Sequence, residues 1–135
     1  MIHRALPLLF CALSTPALAD GVLPLARAFG NAAGCAFYNT GAPPVGDDYL
    51  LLTPDSFASH DIACDFAALA SSGGGAFTIK ALCQAAGQGT TAPDHLQVVD
   101  HAADGYGIKF DGIDEIGPLK ACLPAGSDGS SEVQL

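Results

Sequence analysis

Basic residues are the scarcest chemistry in this chain: five lysines and arginines stand against 14 aspartates and glutamates. So acidic a chain lacks the cationic footprint that nucleic acids and anionic membranes require, and neither is expected as a partner. No apolar run after the first 19 residues is long enough for a membrane helix, so no membrane anchor is expected. Tryptophan is absent and aromatics make up 7% of the sequence. The core must then be built from aliphatic side chains and alanine, and a small domain of that kind needs covalent help. No C-x-x-C pair occurs, which argues against a cysteine zinc site. There is no G-x-S-x-G elbow either. Nothing in the chain calls for a cofactor, and no enzymatic activity is expected.

What is present starts with an export signal. Residues Met1–Ala19 carry a basic opening (Arg4), an apolar run from Ala5 to Leu13, and Ala17-Leu18-Ala19. That is the pattern of a secretory signal peptide with an A-x-A cleavage site. Cys11 follows the bulky Phe10, where a lipoprotein signal wants a small residue. A soluble periplasmic or secreted protein beginning at Asp20 is therefore expected. Removing 19 of 135 residues leaves 116, a size that suits one domain. Its basic residues are Arg27, Lys80, Lys109 and Lys120, and its net charge is about −10. Such a charge permits a basic partner drawn in by electrostatic steering, and equally keeps an exported protein soluble.

Four cysteines remain after the signal: Cys35, Cys64, Cys83 and Cys122. An even count in an exported chain reads as two disulfides, with three connectivities open. Symmetry favours one. Cys64 and Cys83 lie almost evenly about Gly73-Gly74-Gly75. If they face each other in a β-hairpin, the register sets Phe66 opposite Ala81 and Ala68 opposite Ile79. Ile62, Cys64, Phe66 and Ala68 then share one apolar face with Phe77, Ile79, Ala81 and Cys83 of the partner strand. A helix over residues 57–70 competes with this reading, because Thr53-Pro54-Asp55 resembles an N-cap and the alanines after Phe57 favour helix. The hairpin pairing leaves Cys35–Cys122, tying the first strand to the last. Each staple contributes roughly 3–5 kcal/mol, the longer loop more.

The rest of the chain reads as short strands and turns. The stretch 20–34 is an N-terminal extension, with a short helix around Leu25–Phe29 as one option. Cys35–Tyr38 reads as a strand, and Asn39–Asp48 as a Pro/Gly-marked loop. Tyr49–Thr53 is a strand, Phe57–Phe66 continues the sheet, and Phe77–Ala85 runs back. Gly87–Asp94 is a polar loop, His95–Val99 a strand, Ala103-Asp104-Gly105 a turn, and Tyr106–Phe110 the return. Asp111–Pro118 is an acidic loop, Leu119–Leu123 carries the last cysteine, and residues 124–135 form a frayed tail. The expected fold is mainly all-β over residues 35–123: a small antiparallel meander or barrel-like sheet with two disulfides.

Candidate chemistry is sparse. Ser59-His60-Asp61 holds the residue types of a hydrolytic triad, but neighbours on a strand point to opposite faces and cannot assemble one. Asp94, His95, Asp100, His101 and Asp104 offer oxygen and imidazole ligands suited to Zn²⁺ or Cu²⁺. His101 with Asp104 is the most reachable pair. His95 lies about 20 Å from His101 on an extended strand, and joins them only if the strand breaks. His60 is a further ligand candidate from another strand. Asp111, Asp114 and Glu115 do not match a calcium-loop pattern and read as a solvated loop. Tyr38, Tyr49 and Tyr106 are candidate recognition anchors that more simply pack at the sheet.

The run Leu52-Thr53-Pro54-Asp55-Ser56-Phe57, followed by Cys64-Asp65-Phe66, Cys83 and Cys122, resembles small secreted four-cysteine proteins of Gram-negative bacteria with no assigned activity. Where that pattern often carries a Gly-Glu-Gly-like element, this chain has Gly87-Gln88-Gly89, without the acid. Size, export and the two-cysteine hairpin are also similar to periplasmic inhibitors of c-type lysozyme, although the Ser-Gly-x-x-Tyr loop of that class is missing. The expected function is binding rather than catalysis, with an acidic face or loops engaging a basic envelope-active protein, for which a lysozyme-type hydrolase is one test case. A metal-binding protein using His101, Asp104 and His95 is the alternative.

Overall fold

A computed structural model describes residues 19–42, 44, 46 and 48–124. The expected signal peptide up to residue 18 and the expected tail from residue 125 lie outside the described residues. The elements are β1 (Ala19–Asp20), β2 (Phe29–Gly30), α1 (Ala32–Thr40), β3 (Leu50–Thr53), β4 (Ser56–Ser59), β5 (Ile62–Gly73), β6 (Ala76–Ala85), β7 (Ala92–Asp100), a 3₁₀ turn (Ala102–Asp104), β8 (Tyr106–Phe110) and β9 (Ile116–Ala121). From β2 onward each strand pairs antiparallel with the next, and β9 returns to β2, closing an eight-stranded barrel. β1 pairs with β5 outside this ring.

Closure is physically economical, because a barrel has no open edge to invite pairing with other chains. The interior follows the two-residue alternation of the strands. Leu96 and Val98 of β7 and Ile108 and Phe110 of β8 are buried, while His95, Gln97 and Lys109 between them are exposed. Leu52, Phe57, Cys64, Phe66, Leu69, Ile79, Ala81 and Leu119 complete most of that core.

The β5–β6 hairpin holds the expected pairs Cys64↔Cys83 and Phe66↔Ala81. Beyond them a bulge at Ala67 shifts the register, so Ala68 faces Lys80 and Leu69 faces Ile79, instead of Ala68 facing Ile79. An extra residue in one strand reverses which side chains point inward. Here it buries the larger Leu69 in place of Ala68. Gly74 and Gly75 form the two-residue connection with φ of 61° and 79°. Primed hairpin turns demand positive φ at such positions, which glycine adopts without strain. The competing helix over 57–70 is not formed.

Two expectations fail at the N-terminal side. Cys35–Tyr38 is not a strand but the middle of α1. The Asn31 side chain accepts from the Gly34 amide at 2.8 Å, and Gly41 closes the helix in the left-handed region at φ 70°. Asn at the N-cap and Gly after the last turn are strong helix boundaries that outweigh the short apolar run between them. The Asn31 oxygen also accepts from the Leu50 amide at 2.9 Å, pinning the helix start to β3. A Cβ on Gly34 would sit 1.9 Å from the Leu50 carbonyl oxygen, so only glycine lets the helix backbone come this close. Second, the stretch read as an extension supplies β2, the strand that closes the barrel, and Leu23, which is 1% exposed in the core. No helix forms around Leu25–Phe29.

Both disulfides are formed: Cys64–Cys83 across the hairpin, and Cys35–Cys122 from α1 to the end of β9. The second therefore ties a helix, not a first strand, to the last strand. It sits in a small outer cluster with Ala28, Leu51 and Phe37. Adjacent Leu51 and Leu52 are both buried because β3 is covered on both faces, by α1 outside and by the core inside. Two disulfides fit a chain that folds in an oxidising, exported setting.

At the closure, Tyr106 packs edge-on against Phe29 with ring centroids 4.8 Å apart. Burial, and secondarily the nearby Asp100 carboxylate, raise its phenol pKa above the ordinary 10.0. The folded state thus holds that proton more tightly than the unfolded chain. Stability from this group is unchanged below pH 10 and falls as pH rises above it. An alkaline absorbance titration is expected to show a phenol ionising above pH 10, and Tyr106→Phe to remove that phase.

Candidate binding site at the open end of the barrel

The β4–β5 turn, the β6–β7 loop and the β8–β9 loop all emerge at one end of the barrel, as an up-and-down order requires. Between them lies a cleft of about 420 Å³. Its floor is Phe57 and Phe110, whose rings are 6.0 Å apart and which are 1% and 7% exposed. Ile62 and Ile116 form walls, and Ile113 stands on the β8–β9 loop, 57% exposed. Three carboxylates, Asp61, Asp94 and Asp111, complete the lining with Ser59, and among the described residues no lysine, arginine or histidine joins them. Small eight-stranded barrels fill their interior with side chains and leave ligand space at the mouth. This cleft matches that geometry.

The strand parity that builds the core also builds the cleft. Phe57 and Phe110 face inward near the ends of β4 and β8, so their outer edges become the base of the opening. Ser59 shapes the turn: its Oγ accepts from the Asp61 and Ile62 amides at 3.2 and 3.3 Å. His60 pairs with Asp61, Nε2 to Oδ1 at 3.0 Å. Ser59 is thus occupied with the turn backbone while His60 meets the carboxylate. The serine–histidine contact of an acyl-transfer triad is not made.

The metal-ligand candidates are spread apart. His95 lies on the outer face of β7 opposite Lys80, in a shallow depression with Thr78, Gln97, Lys109 and Asp111. His101, past the other end of β7, places Nε2 2.7 Å from Glu115 Oε1. The Asp104 amide donates to the His101 carbonyl, which orders the 3₁₀ turn. His95, His101 and Asp104 do not converge, and among the described residues no three His, Cys, Asp or Glu side chains gather as a metal site. Glu115 anchors the base of the β8–β9 loop to His101, while Asp111 and Asp114 are exposed.

None of the tyrosines lines the cleft, although Tyr49 borders a neighbouring hollow with the cleft's Ser59 and Ile62. Tyr38 is exposed on α1, Tyr49 packs near Phe37 at 5.8 Å, and Tyr106 packs on Phe29. Gly87-Gln88-Gly89 sits in the β6–β7 loop, where the Gln84 side chain donates to the Gln88 carbonyl. Sequence reasoning passed over Asp61 and Asp94 as rim residues and Phe57 and Phe110 as a shared floor. The available signal was the up-and-down order, which brings alternate connections to one end. Comparison with family models, curated proteins and solved structures found no match.

Proposed function

We propose that this chain is an exported, periplasmic or secreted binding protein that takes a positively charged protein at the open end of its barrel. The observation that carries this reading is the cleft itself: an apolar floor, three carboxylates, and no lysine, arginine or histidine in the lining among the described residues. A net charge of about −10 on the mature chain adds long-range attraction for a basic partner. The partner class is a basic envelope-active protein, and a c-type lysozyme is the test case. A binding role is favoured over catalysis because Ser59 and His60 serve the turn and the neighbouring carboxylate.

The test is an association measurement between the mature protein and a basic c-type lysozyme at low and high salt. Affinity is expected to fall at least about tenfold between roughly 50 and 300 mM salt, as exposed charge pairs are screened. The triple variant Asp61→Asn, Asp94→Asn, Asp111→Asn is expected to lose most of the low-salt affinity. No association, or association indifferent to both salt and the variant, counts against the proposal.

A further inference from the structure

The dimensions and lining of the cleft restrict what part of a partner can enter it. A volume of about 420 Å³ lies at the lower end of the range for small-ligand pockets. One turn of helix, 5.4 Å long and 10–12 Å across with its side chains, already fills or exceeds that space. A single long side chain fits easily. Its stem would meet apolar surface from Ile62, Ile113 and Ile116, over the nearly buried edges of Phe57 and Phe110, and its end would meet carboxylates. An aliphatic stem with a cationic head is the side chain that buries one part on apolar surface and presents the other to charge.

Resting on the proposed function, we propose that the partner inserts one arginine side chain into this cleft. Guanidinium is the better head for two reasons. It donates in a planar fork that suits carboxylates bidentately, and it is more weakly hydrated than an ammonium. The cleft supplies carboxylates at Asp111, at Asp61, which His60 also meets, and at Asp94, whose Oδ1 already accepts from the His95 amide. Ile113, 57% exposed on the loop beside the opening, gives an apolar contact for the residue next to the inserted arginine.

The inference is tested without any partner protein, by amide NMR titration of the mature protein with n-butylguanidinium, 1-butanol and butyrate. Butylguanidinium is expected to bind saturably, with shifts centred on Ile62, Asp94, Phe110, Asp111 and Ile113. It should bind about tenfold more tightly than 1-butanol, since charge-assisted hydrogen bonds add to the shared stem contact. Butyrate should not saturate. Asp111→Asn alone, at an exposed position, should weaken butylguanidinium severalfold and leave 1-butanol unchanged. Equal binding of butylguanidinium and 1-butanol overturns the inference, as do shifts spread evenly over carboxylates outside the cleft such as Asp55 and Asp65. Lysozyme binding without occupancy of the cleft by the probe sinks the arginine insertion and spares the proposed function. Occupancy by the probe without lysozyme binding sustains the arginine site and counts against lysozyme as the partner.

Discussion

Replacing Cys35 and Cys122 together by alanine is expected to lower the unfolding free energy by about 4–5 kcal/mol, from the loop entropy of an 87-residue separation. The same treatment of Cys64–Cys83, separated by 19 residues, gives about 3 kcal/mol. Against a total of about 5–15 kcal/mol for a domain of this size, the first loss brings the fold near its threshold. Geometry adds to it. β2 joins the barrel through only two residue pairs on each side, Phe29 and Gly30 with β3 and with β9. The Cys122 amide donates to the Ala28 carbonyl at 2.8 Å, so this disulfide sits at the seam it secures. Urea unfolding measures the loss, and hydrogen exchange locates it. The amides of β2 and β9 should lose protection first while β6 and β7 keep theirs. An unchanged urea midpoint, or loss of protection starting in β6–β7, would refute the seam argument.

Phe57→Ala is expected to cost about 3–5 kcal/mol, the range for deleting a buried aromatic ring from a packed core. Phe57 is 1% exposed and packs near Phe110 at 6.0 Å between centroids. It is also the floor of the cleft, so the ring separates the barrel interior from the opening. Truncation therefore removes apolar contacts and lets water into the interior. Phe57→Leu should cost much less, because most of the volume is kept. Thermal and urea unfolding of the two variants check this. A cost for Phe57→Ala below about 1 kcal/mol would mean that the site collapses without the ring and that Phe57 does not close the core at this end.

The Cys64–Cys83 hairpin was legible because its evidence is local. Two cysteines, a central glycine run and a period-two apolar face all agree on one register. The bulge at Ala67 was not legible. Alanine fits either side of a sheet, so the run Ala67-Ala68 carries no signal for which residue is skipped. The larger Leu69 decides it by filling the interior. Helix α1 had a readable boundary in Asn31 and Gly41, but the apolar Cys35-Ala36-Phe37-Tyr38 run looked equally like a strand. Short apolar runs are ambiguous until something covers them. Here β3 and the Cys122 disulfide cover one face of the helix. Of the candidate site, the abundance of acid and the lack of base were plain, whereas the grouping of Asp61, Asp94 and Asp111 was hidden. Those residues come from two connections and the start of β7, up to 50 positions apart.

By itself the sequence determined the strand-rich character, the two crosslinks, the acidic surface and most of the turns. Each rests on residue type or on spacing between near neighbours. Tertiary structure alone decided that the sheet closes, that β2 performs the closing, and that one end carries an apolar cleft ringed by carboxylates. Closure depends on strand tilt and twist summed around eight strands. No local pattern encodes that sum, because only the assembled ring brings β2 beside β9.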